Sequence, residues 1–212
     1  MSRKFTFVVV FLFTLFAASC SRYPRGIHSP ITRPVPVERL AKYNHYSPKV
    51  KKVISKAMVL SRDDLTYIFG SDTLNRGGMD CSGVIYYLLK SMRPNQIIPR
   101  DSYDMYMWLL HAHVMHHVTS NQFSSPQFSH LKPGDLLFWS GTYRTDRKPP
   151  ITHVMMYLGK DKHGTPLMFG SSDGGIYKGM EMWGVSVFDF TLPSDHYRKR
   201  FVGYGCIPSF TC

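Results

Sequence analysis

Asp80-Cys81-Ser82-Gly83-Val84-Ile85-Tyr86-Tyr87-Leu88-Leu89 reads as a helix from its first residue. Asp80 is a plausible N-cap, since a carboxylate there accepts from the free N–H groups of the first turn. Val84, Ile85, Leu88, Leu89 and Met92 recur at helical spacing on one apolar face, and Pro94 ends the pattern. Upstream, Ser47-Pro48 has the form of an N-cap with proline in the first turn. Val50, Val53, Ile54, Ala57 and Met58 then keep helical spacing to about Leu60. A further short helix is predicted over 102–110. Downstream the period changes. Leu131-Lys132-Pro133-Gly134-Asp135 is a turn followed by a strand at 136–139. Stretches 151–158 and 166–169 flank a turn containing Gly159 and Gly164, the form of a hairpin, and 185–190 and 201–206 are further strands. Helices first and strands afterwards predict an α+β fold with helices packed on a central antiparallel sheet.

Two residues in this pattern carry chemistry. Cys81 stands where the apolar helix begins, and His153 opens the strand Ile151-Thr152-His153-Val154-Met155-Met156-Tyr157. The thiolate is the reactive form of cysteine, and a helix N-terminus with a nearby imidazolium lowers a thiol pKa. A nucleophile and its base would then be brought together by folding rather than by adjacency in sequence. A lone buried cysteine is more often a small core residue. The flanking Asp80, Ser82 and Gly83, together with the later histidine block, tip the balance toward chemistry.

His111, His113, His116 and His117 form a dense cluster, with His113 and His117 one helical turn apart. No glutamate lies between them to complete a zincin motif, so the cluster reads as a polar loop or helix end and no metal or organic cofactor is expected.

The chain carries 26 basic and 14 acidic residues, a net charge of +12. Removing Arg3 and Lys4 leaves +10. That excess favours an anionic partner. Without an aromatic-interleaved basic motif, nucleic acid is not the expected one. Arg3 and Lys4 precede an apolar run over 5–18, and Ala17-Ala18-Ser19 then meets Cys20. This is the form of a secretory signal over 1–19, too short for a spanning helix of roughly 20 apolar residues. Cys20 in that setting resembles a bacterial lipobox, which makes it the acylated first residue of an exported lipoprotein; plain signal cleavage at the same bond is the alternative. Residues 20–47 hold several prolines and read as an extended tether, leaving 48–212 as the domain. Cys206 and Cys212 are close enough to pair in an oxidising compartment, and Cys81 is then the odd thiol.

Four blocks, in order, give this chain a family resemblance. They are Tyr67-Ile68-Phe69-Gly70 with Gly78-Met79-Asp80-Cys81-Ser82-Gly83; Ile98-Pro99-Arg100-Asp101-Ser102; Leu131-Lys132-Pro133-Gly134-Asp135-Leu136-Leu137-Phe138; and Thr152-His153-Val154-Met155-Met156-Tyr157-Leu158-Gly159. Over 61–208 the chain resembles the NlpC family of papain-like cell-wall cysteine peptidases. The resemblance implies hydrolysis of amide bonds in peptidoglycan stem peptides, typically between D-glutamate and a diamino acid. It makes Cys81 the nucleophile and His153 the base. Tyr67 would bind substrate or the oxyanion, and Asp80 and Ser82 would contact the amine end of the stem peptide. For Asp80, helix cap and substrate carboxylate both remain open. The resemblance also implies a cell-envelope location, as a periplasm-facing lipoprotein held to the membrane through Cys20.

One position departs from the pattern. The polar residue, often histidine, that orients the imidazole from the next strand falls on Gly170 here, which leaves Ser171, Ser172 or His163, or a backbone carbonyl or water, to serve. Two other classes fit the same residues: a papain-like acyltransferase or other thiol amidase, and a non-catalytic wall-binding module.

Overall fold

Ser47 opens the first helix as its sequence suggests, its side chain accepting from the Val50 N–H at 3.4 Å. In the computed structural model, which describes residues 32–194 and 198–212, this helix is α1 (Pro48–Leu60). It buries Val50, Val53, Ile54, Ala57 and Met58, the face its periodicity marks. A short parallel pair, β1 (Thr66–Tyr67) and β2 (Gly78–Met79), leads into α2 (Cys81–Met92). Helix α3 (Ser102–His111) is capped by Asp101, which accepts from the Asp104 N–H at 2.9 Å.

The remaining strands are β3 (Met115–His117), β4 (Leu136–Ser140), β5 (Ile151–Lys160), β6 (Pro166–Tyr177), β7 (Met180–Asp189) and β8 (Arg200–Gly205). They form one sheet in the order β3-β8-β4-β5-β6-β7, antiparallel at every pairing. Helix α2 lies against β5 and β6, α3 lies against β5, and α1 packs on α2 and β7. The fold is α+β, and this layering sets the start of α2 beside the start of β5.

The hairpin β6–β7 runs well beyond 166–169 and 185–190. Its outer half alternates weakly, with exposed residues and Gly174 and Gly175 at an irregularity in the register. Period-2 hydrophobicity therefore fades before the strands do. The histidine cluster is split: His111 ends α3, His113 turns the chain at φ 58°, and His116 and His117 lie on β3. His116 stacks on His130 and Tyr204, with ring centroids 5.2 and 5.1 Å away. Cys206 and Cys212 form a disulfide.

The tether expected over 20–47 needs correction where it is described. From residue 35 it packs on the domain. Val35 and Leu40 are 1% and 3% exposed, the Ala41 N–H donates to the Lys160 carbonyl at 2.9 Å, and the Tyr46 hydroxyl donates to the Leu158 carbonyl at 3.1 Å. Prolines remove donors but do not prevent apolar residues between them from docking on a strand end. Leu40→Ala is accordingly expected to destabilise the fold by about 2–3 kcal/mol in urea unfolding, whereas a solvated tether position would change by under about 0.5 kcal/mol. The signal segment and Cys20 lie outside the described residues. No helix among the described residues is long and apolar enough to cross a membrane.

Candidate active site

Cys81 is the first residue of α2 and is 6% exposed. Its position is fixed by Asp80, whose two oxygens accept five hydrogen bonds. Oδ1 takes the Gly83 N–H at 2.6 Å, the Ser82 hydroxyl at 3.2 Å and an Arg100 N–H at 3.1 Å. Oδ2 takes the Gly70 N–H at 2.8 Å and a second Arg100 N–H at 3.1 Å. Arg100 also donates to the Ser82 hydroxyl at 3.1 Å and to Asp72 at 2.9 Å. A carboxylate offers about four lone-pair sites, so Asp80 has no acceptor left for a substrate amine. Of its two candidate roles, the helix cap is the one the structure provides, and the hydroxyl of Ser82 is held in the same network. Gly83 is needed for close approach, since a Cβ there would lie 2.0 Å from the Ser71 carbonyl oxygen.

Removing Arg100 strands a buried charge. Arg100→Met is expected to lower stability by about 2 kcal/mol, below the 3–5 kcal/mol of a fully buried pair because the guanidinium is partly exposed. Thermal unfolding checks this, and an unchanged midpoint would show that Asp80 does not depend on its partner.

Two adjoining cavities meet at this point. The smaller, about 270 Å³, is lined by Cys81, Asp80, Arg100 and Asp101. The larger, about 910 Å³, is lined by His153, Asp173, Arg198 and Lys199. Tyr67, Phe69 and Tyr143 line both. Phe69 is 71% exposed and meets Tyr143 edge to face with ring centroids 6.0 Å apart, so the two rings form a lip over the divide. Burial, helped by the neighbouring Cys81 and Asp80, pushes the Tyr67 phenol above its usual range, which keeps its hydroxyl a donor at neutral pH.

His153 is third in β5, directly across from Trp139 of β4, with the rings 5.7 Å apart. No hydrogen bond links it to Cys81. The sulfur instead faces the backbone N–H of Val154, the next residue, so the thiol lies beside the His153 backbone while the imidazole packs on Trp139. Burial pushes the Cys81 thiol up to about 12, and the charge of Asp80 adds to this; the N–H groups of Val154 and Ser82 and the Arg100 charge act against it. Burial, together with the Lys199 charge, holds His153 down to about 3. The resting pair is a neutral thiol and a neutral imidazole, the reverse of the lowered thiol pKa expected from the sequence. The helix start does favour the thiolate, but desolvation at a nearly closed site outweighs it.

Of the candidate orienting residues, Ser171 and His163 fall away from the imidazole. One residue beyond the Met156–Phe169 pair, Gly170 faces Met155; a Cβ there would lie 2.2 Å from the Met155 Sδ, so that side chain fills the orienter's place. Ser171 is fully buried on the alternate face, donating to the Met79 carbonyl at 2.6 Å. His163 sits in the turn at the far end of β5, its N–H on Asp161 at 2.9 Å, roughly 20 Å or more along the strand from His153. Ser172 does line the His153 cavity, with its hydroxyl donating to the Gly174 carbonyl at 2.8 Å. Tyr143, Asp173, Trp139 and Lys199 carry no motif and were not legible as site residues. Only the fold brings them to the strand ends. No group of three or more His, Cys, Asp or Glu side chains among the described residues is placed to hold a metal ion.

The chain is similar, at 19% identity and a TM-score of 0.48, to the crystal structure of a protein described as similar to lipoprotein, NLP/P60 family, from Staphylococcus aureus subsp. aureus Mu50. That similarity covers 75% of this chain and 41% of the other, so this chain matches less than half of that protein's length. No curated protein matches it. The NlpC/P60 family pattern matches residues 64–176, just over half of the chain, spanning β1 and β2, the Cys81 helix and the His153 strand. The chain belongs to the NlpC/P60 family.

Proposed function

We propose that this chain is a peptidoglycan hydrolase that cleaves an amide bond in stem peptides, between D-glutamate and a diamino acid, through a covalent thioester on Cys81. The observation that carries this is the placement of Cys81 and His153 in adjoining cavities at one end of the sheet, in a chain whose family consists generally of cell-wall peptidases. In the reaction the Cys81 sulfur attacks the scissile carbonyl as its proton passes to His153, whose neutral ring is in the form that accepts it. The imidazole closes on the sulfur when substrate enters, as catalytic hydrogen bonds that are loose in a free enzyme do. The Tyr67 hydroxyl and the N–H groups at the start of α2 stabilise the oxyanion. The carbon–nitrogen bond breaks, His153 protonates the leaving amine, and water then resolves the thioester.

Export and membrane anchoring through an acylated Cys20 belong to the same reading, which places the site in the cell envelope where the polymer is. The basic excess of the chain suits a carboxylate-rich polymer.

Mass spectrometry of defined muropeptides, incubated with the mature protein and with Cys81→Ala, tests the reading. A product formed only by the unsubstituted protein supports it and identifies the bond. The neutral resting pair and Gly170 favour one second reading, a wall-binding module without turnover. Binding of intact muropeptides with no product from either protein would establish that instead.

A further inference from the structure

We propose that Lys199, with Arg198 at its side, forms an anion subsite in the larger cavity for a carboxylate on the leaving half of the substrate, which makes Lys199 a specificity-determining residue. This rests on the hydrolase reading and extends it to the leaving group. Residues 198–199 lie outside the family-matched stretch and enter the site just before β8. Their path is fixed by close packing: Gly141, at φ 77°, faces the Arg198 carbonyl, and a Cβ there would come within 2.3 Å of that oxygen.

The ammonium of Lys199 lies over the Trp139 ring, 5.3 Å from its centroid, and the same indole carries the His153 ring at 5.7 Å. The cation and the candidate base therefore share one platform. Burial pulls the Lys199 pKa down, and among the described residues no carboxylate reaches ion-pair distance of it. Asp173, on the same cavity wall, is the anion whose charge it feels. A largely desolvated ammonium resting on an aromatic face without a close counter-ion gains from an anionic guest.

The division of the two cavities says which half of the substrate that guest belongs to. Cys81 lines the smaller cavity and His153 the larger, with Tyr67, Phe69 and Tyr143 between them. The acyl half stays with the sulfur. The amine that His153 protonates departs on the imidazole side, where Lys199 stands. A leaving amino acid with a free carboxylate next to that amine meets the ammonium.

The test compares two tripeptides, L-alanyl-γ-D-glutamyl-L-lysine as the free acid and as the C-terminal carboxamide. The unsubstituted protein is expected to prefer the acid by about tenfold or more in kcat/KM, the worth of one charge-assisted hydrogen bond. Lys199→Met is expected to bring that ratio within about twofold, and Lys199→Arg to keep most of it. A merely structural role would lower both rates alike and leave the ratio standing, which would overturn the subsite. A second measurement needs no turnover: titration of Cys81→Ala with Nα-acetyl-lysine and its carboxamide, followed through the His153 imidazole NMR signals. Tighter binding of the acid that disappears on adding Lys199→Met supports the subsite even in a protein that cleaves nothing. Equal binding of acid and carboxamide overturns it, whether or not stem peptides are cleaved.

Discussion

Exchanging Cys81 for alanine is expected to lower kcat/KM on a stem peptide by about 10⁴-fold, while the thermal midpoint should move only by the loss of one small buried group. The size of the effect follows from the chemistry proposed, since no other thiol is free among the described residues. The pH dependence is the more discriminating part. A preformed thiolate–imidazolium pair titrates twice near neutrality, once as the thiol gains its proton and once as the imidazolium loses it. Here the thiol is held at about 12 and the imidazole at about 3. The competent form, neutral sulfur with neutral ring, is lost on the acid side only as pH falls toward 3, and on the alkaline side only as pH rises toward 12. The expected profile of kcat/KM is therefore a broad plateau with no alkaline limb near 8.5. Iodoacetamide reports the same state in the free protein, where alkylation of Cys81 at pH 7 should run about a thousandfold slower than that of an ordinary thiol, in proportion to its thiolate fraction. Rapid stoichiometric alkylation at pH 6 would show an ion pair and remove the neutral resting state.

The same numbers show where reading the sequence stopped. Helix α2 and its cap were legible because Asp80, the apolar face and Pro94 are local signals, each acting within a turn or two. Strand β5 was legible because Ile151, Val154 and Met156 form an apolar run that ends in a Gly-containing turn. The sign of the Cys81 shift was not. It depends on how completely the sheet and the Phe69–Tyr143 lip close over the sulfur, which is a tertiary quantity. Asp80 shows the same limit from the other side. Sequence gave it two roles of equal standing, and only Arg100, twenty residues away and crossing back onto it, uses up the carboxylate. Lys199 lay furthest beyond reach, because its partners Trp139 and His153 come from other strands and nothing near position 199 announces a site. The docking of the proline-rich segment from residue 35 was hidden for a different reason. Proline content reports missing donors and a fixed φ, and it is silent about Val35 and Leu40 between the prolines.

The departure at Gly170 leads to the strongest gain-of-function expectation. Gly170 lies across from Met155, and His153 is two residues back along β5 on the same face, so position 170 is diagonal to the imidazole. Diagonal neighbours stand about 7–8 Å apart, within reach of an aromatic side chain. Histidine at 170 alone has to displace the buried Met155 side chain, and Gly170→His is expected to cost about 1–3 kcal/mol as overpacking. Met155→Gly alone leaves a hole of methionine size and is expected to cost about 2–5 kcal/mol, plus the glycine penalty in a strand. Combined, the new ring fills the vacated space and can accept or donate to the His153 ring, drawing it off Trp139 and fixing its tautomer. The double variant should recover most of the stability lost by either single change, a non-additivity that urea unfolding of all four proteins measures directly. Its kcat/KM should exceed that of Met155→Gly by about tenfold or more, with the His153 pKa moved up from about 3 by its new hydrogen-bond partner. If the double variant regained stability without any gain in rate, the imidazole would not be waiting for an orienter. The packing of His153 against Trp139 beside Lys199 would then be its working position, and Met155 a replacement that the chemistry does not feel.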